Sequence, residues 1–384
     1  MRAIDNTDRA EPLARGIRSR TEMHFDFCFR APLSAHHLFS RKERGVALLA
    51  VLWLSVALTF MAMATAQLVR TEVTATRNQI DAERSYYLAR GGIEAAVDSI
   101  VFTAGRRNTN PDAPVLPSEF VPGRRWLQFD FETGSSVVEV VPENAKLNIN
   151  QIRPEQLASL LEVLGFSSID SADIAAAIVE WRSPRASDVD TPLDTYYKNL
   201  PDPYVARHAG LDQLEELLPV KGISHDLFFG RTERTPEGKW RRLAGLNDLL
   251  TTQATGGAVN PNYAPYAVLR VLPGWTDPMA AAAIAAREQR PFRSLEDLVS
   301  AVPGFDQVET LAPLTFAGGP VYTLTATGFV PGSGVRRSLR VLVRIGTDQP
   351  MLHRVLGWWD EWPTPENIPA PANYKANGNN GSLS

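Results

Sequence analysis

From residue 46 to 69 (VALLAVLWLSVALTFMAMATAQLV) this chain carries no charge at all. As a helix, such a run is long enough to cross a hydrocarbon core of about 30 Å. The helical pattern continues beyond it, with Val73, Ile80, Tyr87, Leu88, Ala95 and Ile100 at helical spacing and no proline from 46 to 107. If continuous, some 55 residues at about 1.5 Å each make a rod on the order of 80 Å long. Gly91-Gly92 is a candidate kink, since each glycine weakens a helix by about 1 kcal/mol relative to alanine.

The pattern changes after a proline-rich, polar link at 108–123. Strand-like segments follow at 126–131 and 136–141, helical patterns rich in Ala and Leu occupy 143–316, and strand signals return at 321–330 and 336–345. Pro331-Gly332-Ser333-Gly334 suits a hairpin connection between the last two. The fold expected is α+β: a long N-terminal helix on an antiparallel sheet, with a large helical domain of helix–hairpin–helix units inserted into the sheet. Beyond 346 the chain turns Trp-, Pro- and Asn-rich, and its last two dozen residues are expected to be flexible for want of apolar groups.

The helical part echoes itself. Leu147-Asn148-Ile149-Asn150 precedes Leu157, Leu160, Gly165 and an Ala-rich helix ending at Trp181-Arg182. Val259-Asn260-Pro261-Asn262 precedes Val268, Leu269, Gly274 and a second Ala-rich stretch at 280–286. The asparagines suit helix N-caps and the glycines left-handed turns. A third pair matches 211–222 (LDQLEELLPVKG) with 295–304 (LEDLVSAVPG).

The 384 residues allow two or three domains, and 44% hydrophobic content supports real cores. Arg41, Lys42 and Arg44 precede the apolar run, which places that end in the cytoplasm and residues after 70 outside. From residue 46 onward 30 basic side chains face 37 acidic ones, which argues against a nucleic-acid groove. The one cysteine, Cys28, lies upstream of the run, so no disulfide is expected in the exported part. The true start is equally well placed at Met1 or Met23. No catalytic constellation emerges: His208 and His225 flank no metal spacing, Ser55 lacks a nucleophile elbow, and Gly256-Gly257 and Gly318-Gly319 precede no phosphate-binding pattern. The chain is therefore not expected to be an enzyme.

Gly45 stands before the apolar run, as in type IV prepilins, where a dedicated peptidase cuts on the cytoplasmic side and leaves the helix on the mature protein. Together with LARGGIEAA at 88–96, LNIN at 147–150, AAAIVEWR ending at Arg182, LDQLEELLPVKGIS from 211 and the second Asn-x-Asn at 260–262, this order of elements resembles the K-type minor pseudopilins of type II secretion systems. The resemblance implies a pilin-like helix and sheet, a leader at 1–45 removed between Gly45 and Val46, and a methylated new N-terminus. It also implies a single-pass protein of the bacterial inner membrane with a periplasmic body at the tip of the pseudopilus. The implied partners are I-type and J-type minor pseudopilins, the major pseudopilin, the prepilin peptidase and the inner-membrane secretion platform.

Mature position five is Ala50, where ordinary pilins have a glutamate thought to pair with a neighbour's N-terminal amine. A carboxylate in hydrocarbon is costly unless paired, and a tip subunit has no neighbour ahead of it. Family members also carry an acidic calcium-binding loop after the WR segment, which implies Asp188, Asp190 and Asp194 as calcium ligands here. This chain departs from that pattern, with Ser183 and Leu193 where acidic residues are usual. An ordinary solvated acidic loop is the alternative.

Three other readings compete with the tip subunit. Leu272-Pro273-Gly274 and Val302-Pro303-Gly304 are similar to hairpins of DNA-binding and competence proteins. A plain signal-anchored periplasmic protein needs only the apolar run, and Ala64-Thr65-Ala66 would fit release of a soluble body. Mass spectrometry of the mature protein separates the last two from the prepilin reading. An N-terminus at Val46 is expected, whereas Gln67 or an uncut chain overturns the expectation. Replacing Gly45 with a bulky residue should block this cut while leaving membrane insertion intact.

Overall fold

The computed structural model describes residues 43–105, 116–185, 187–236, 238, 240–254, 256–307, 312–346, 352–365, 367–371 and 374. The leader before residue 43, including Cys28, Arg41 and Lys42, lies outside them. The chain divides into two units after Val69. In the first, the start of α1 (Glu43–Gly105) carries the apolar run, and every side chain from 46 to 69 is exposed. Among the described residues, α1 alone is long and apolar enough to cross a membrane.

In the second unit, the rest of α1 lies on a five-stranded antiparallel sheet. Its strands are β1 (Trp126–Phe131), β2 (Gly134–Pro142), β7 (Val321–Phe329), β8 (Ser338–Ile345) and β9 (His353–Trp359), in that spatial order. The period-2 alternation gives the sheet two different faces. Val138, Val140, Leu324, Ala326, Leu339, Val341 and Val343 form one core with Ala89, Ile93, Ala96, Val97 and Ile100 of α1. The opposite face presents Thr323, Thr325, Thr327 and Arg340, all but Arg340 fully buried. There Arg340 stacks on Trp362 at 3.7 Å and faces Asp248 at 3.6 Å.

The expected kink at Gly91-Gly92 does not form; α1 is continuous there. A Cβ on Gly92 would lie 2.0 Å from Ser136 Oγ, and one on Gly328 would lie 1.9 Å from the Ser85 carbonyl oxygen. These glycines let helix and sheet approach closely. The buried Ser85 hydroxyl donates to Gly328 O at 3.0 Å and accepts from the Arg337 amide at 2.7 Å.

Pro142 at the end of β2 lies opposite Tyr322 at the start of β7, so the chain leaves and re-enters the sheet at neighbouring points. Between them lie β3 (Leu147–Asn148), α2 (Pro154–Val163), α3 (Ser168–Arg182), α4 (Pro192–Lys198), α5 (His225–Phe229), β4 (Arg231–Arg234), β5 (Trp240–Leu243), α6 (Leu246–Leu249), β6 (Leu250–Thr251), α7 (Tyr266–Arg270), α8 (Asp277–Gln289) and α9 (Leu295–Ala301). All of these but β4 and β5 contribute to one core, in which Leu157, Leu160, Ile178, Leu249, Leu269, Ala283 and Leu298 are fully buried. The β4–β5 hairpin is an exception within the part read from sequence as mainly helical. Its strands are too charged to show an alternating apolar face.

The fifth strand is a second departure, because the expected sheet ended at residue 345. Beyond β9 the tail folds back. The Trp362 amide donates to Ser338 O at 3.0 Å, and the Tyr374 hydroxyl donates to Ser333 O while its ring packs on Phe329 at 5.2 Å. Trp362 and Tyr374 thus contact the sheet within the part expected to be flexible, of which residues 366, 372, 373 and 375–384 lie outside the described ones.

Gly328→Ala should destabilise the protein by about 2–3 kcal/mol, because the obstructing atom is backbone and cannot turn aside. Gly334→Ala, where a Cβ meets nothing within 4 Å, should change stability by less than about 0.5 kcal/mol. Chemical denaturation of the detergent-solubilised chain measures both, and equal effects would contradict the close-approach account.

Candidate functional site

The duplication is a matter of hydrogen bonds as well as sequence. In the first copy Asn148 Oδ1 accepts from the Asn150 amide at 2.8 Å. The Asn150 side chain then pairs with the Leu211 backbone in both directions, at 2.8 and 2.9 Å. In the second, Asn260 Oδ1 accepts from the Asn262 amide at 3.1 Å, and Asn262 pairs with Phe292 in both directions at 2.7 and 2.8 Å. Each Ala-rich helix carries in its last turn an arginine that returns to its own loop: Arg182 donates to the Ile149 and Ile152 carbonyls, and Arg287 donates to Pro261 O and Ala264 O at 2.8 and 2.6 Å. Burial lowers the pKa of both guanidinium groups, that of Arg287 to about 10.

The asparagines are therefore not the helix caps expected of them. The caps of α2 and α7 are Arg153 and Pro265, without side-chain cap bonds. Asn150 and Asn262, each four residues before its helix begins, bond instead to the backbones of Leu211 and Phe292, 61 and 30 residues further along the chain. Gly165 and Gly274 do take left-handed φ values of 97° and 82°. The second copy also joins the insert to the sheet. Asn144 and Asn260 side chains both donate to Ala317 O, and the Tyr263 hydroxyl accepts from the Gly123 amide at 2.7 Å.

The Pro-Gly turns considered for DNA binding serve as packing. Trp275 and Phe305, just after them, are buried against each other with ring centroids 5.2 Å apart. Asp277 beside them is paired with Arg270. Trp358 packs on the core between α1 and the sheet, and its indole donates to Asp360 at 2.6 Å; the same carboxylate accepts from the Tyr86 hydroxyl. An open apolar groove of about 620 Å³ runs between α1 and the β1–β2 turn, lined by Ile80, Tyr87, Leu88, Gly91, Phe131 and Thr133.

The acidic loop is present, but its carboxylates do not converge. Asp188 is exposed, Asp190 pairs with Lys198 and Arg185, and Asp194 is buried in the first turn of α4. There Asp194 and Thr191 form a reciprocal helix cap, the Asp194 amide donating to Thr191 Oγ1 at 3.0 Å. Burial alone would raise the Asp194 carboxyl pKa. The hydrogen bond to His208, the Thr191 amide and the Arg185 charge outweigh it and hold the carboxyl at about 2. Among the described residues, no three or more His, Cys, Asp or Glu side chains form a group able to hold a metal. Ser183 bonds back to Val179 O within α3, and Leu193 packs against the insert core. The residues present do not fit a calcium site, which needs six to eight oxygens around the ion. His208, which flanks no metal spacing in the sequence, stands with Nε2 2.8 Å from Asp194 Oδ1. Nothing in its sequence neighbourhood announces that partner, fourteen residues away. His225 stacks on Phe229 at 4.5 Å. Gly45, Val46 and Ala50 all lie at the beginning of α1.

A long helix lying in its second half on an antiparallel sheet, with a duplicated helical insert, makes this an α+β protein with a helix long and apolar enough to cross a membrane. Residues 137–229 match the family described as type II secretion system (T2SS), protein K. The match covers β2 through α5, including the first Asn-x-Asn copy and the acidic loop, and supports the K-type minor pseudopilin reading drawn from the sequence. No curated protein matches the chain. A solved structure that it resembles is the GspK-GspI-GspJ complex of the type 2 secretion system from enterotoxigenic Escherichia coli. That chain is 17% identical with a TM-score of 0.48, and the likeness covers 75% of this chain and 100% of that one.

Asn262→Ala should cost about 2–4 kcal/mol, since it leaves both backbone groups of Phe292 buried without partners. Urea unfolding monitored by tryptophan fluorescence measures this, and a loss below about 0.5 kcal/mol would show that the brace does not contribute.

Proposed function

We propose that this chain is a non-enzymatic assembly subunit at the tip of a type II secretion pseudopilus, taking part in initiation of the pseudopilus and in protein export. One observation carries the proposal. Within the single helix α1, residues 46–69 are wholly exposed and apolar, whereas Ala89, Ile93, Ala96 and Ile100 supply the core of a folded body. An exposed apolar run of that length is unfavourable in water and favourable in a bilayer. The basic residues before it keep the N-terminus in the cytoplasm of a bacterial inner membrane, leaving the body in the periplasm.

Ala50 supports the tip position, because an apolar residue there needs no amine from a subunit ahead. Ala57, Ala62, Ala64 and Ala66 are small and exposed on α1, which allows close helix contact in the membrane. The bulk of the insert suits a subunit on which nothing further stacks. The partners proposed are I-type and J-type minor pseudopilins, then the major pseudopilin, with prepilin peptidase and the inner-membrane platform acting on the assembly.

Co-expression with I-type and J-type subunits, followed by detergent extraction, should recover a heteromeric complex containing one copy of this chain. A stable homopolymer of this chain, or tight salt-sensitive DNA binding without a heteromeric complex, would overturn the proposal. Ala50→Glu should give no gain in secretion.

A further inference from the structure

The two copies of the insert differ most at one place. Between Arg287 and Phe292 the second copy has a short turn, whereas the first interposes residues 183–210 between Arg182 and Leu211. Leu193, Tyr197, Leu200, Tyr204 and Ala206 of that segment lean on the insert core, while the stretch 187–191 offers it no apolar anchor, Val189 being exposed. Its order depends on how its charges are matched.

Each of the four carboxylate oxygens of Asp190 and Asp194 has a nitrogen partner. Arg185 spans the two residues, with Nη1 3.7 Å from Asp190 Oδ1 and Nη2 3.1 Å from Asp194 Oδ2. Lys198 Nζ meets Asp190 Oδ2, and His208 Nε2 meets Asp194 Oδ1 at 2.8 Å. The Thr191 amide adds a second donor to Asp194 Oδ2 at 3.2 Å. A planar guanidinium fork can bridge two carboxylates in fixed geometry, which is also what a divalent cation between them would do. A divalent cation so close to Arg185 would be repelled, and three of the four oxygens already hold a nitrogen within 3.1 Å.

We propose that the chain's own side chains, the Arg185 and Lys198 cations foremost with His208 as a hydrogen-bond partner of Asp194, take the place of a bound divalent ion, so that residues 187–198 are ordered without metal. Leu193 agrees with this, since it turns into the core a position where a carboxylate would have faced the loop. The inference stands apart from the tip assignment and survives its failure.

The test is hydrogen exchange and thermal unfolding of the detergent-solubilised full chain, in chelator and in millimolar calcium. For the unaltered protein the two Tm values should agree within about 1 °C, and exchange across 188–199 should be unchanged. Arg185→Ala should lower Tm by roughly 3–6 °C and speed exchange in that window in either buffer. Should that variant fail to fold, Arg185→Lys, which keeps the charge but loses the fork, should show the same acceleration to a smaller extent. Slower exchange at 188–199 of the unaltered protein by about threefold or more in calcium would overturn the proposal. So would unchanged exchange there in whichever Arg185 variant folds.

Discussion

The close approach of α1 to the sheet is the contact on which the rest of the body depends. Without a side chain at Gly92 and Gly328, the helix backbone comes near enough for Ser85 to bond the Gly328 carbonyl and the Arg337 amide together. That places Ala89, Ile93, Ala96 and Ile100 over the apolar face of β2, β7 and β8. Interdigitation at this density leaves little room for adjustment, since cores are packed like organic solids. The helix therefore needs no kink, and the glycine pair is explained by proximity.

The other face of the sheet is organised by a different rule. Threonines of β7 and the buried Arg340 would be costly there unless matched. The insert and the tail supply the matches: Asp248 from α6 and the Trp362 ring for Arg340, and Glu143 with Lys146 for Thr323. Glu143 and Lys146 lie 2.7 Å apart, both side chains almost fully buried. Burial opposes charge on Glu143, and the Lys146 ammonium together with hydrogen bonds from Thr251 and Thr323 outweighs it, lowering the carboxyl pKa. An insert of this size is thus not an appendage, because it completes the polar layer of the domain that holds it.

Duplication explains the rest of the insert economically. Each copy closes an Asn-x-Asn loop with an arginine from the far end of its second helix, so one short motif recurs as a rigid unit. The second copy was free to dock on the sheet through Asn260 and Tyr263. The first accommodates an extra segment whose Asp190 and Asp194 are paired from within by Arg185 and Lys198, with His208 hydrogen-bonded to Asp194.

Much was legible in the order of residues. A charge-free run flanked by basic residues, period-2 segments on either side of Ala-rich helical patterns, and an echo of Asn-x-Asn and Gly are all local or periodic signals, set by elementary geometry of helix and strand. They were enough for the α+β architecture with an inserted helical part. What they could not contain is the identity of partners distant along the chain. The fifth strand at His353–Trp359 lacks alternation because its pairing with β8, through a bulge at Leu342/Val343, decides its conformation. Tyr374 is ordered by Phe329 and Ser333, both more than forty residues earlier. Asp194 looked like one of three equivalent carboxylates; burial under His208 and Arg185 separated it from the other two. Periodicity is written in neighbouring residues, whereas charge pairing and close backbone approach depend on which distant residues the fold brings within about 3 Å of each other.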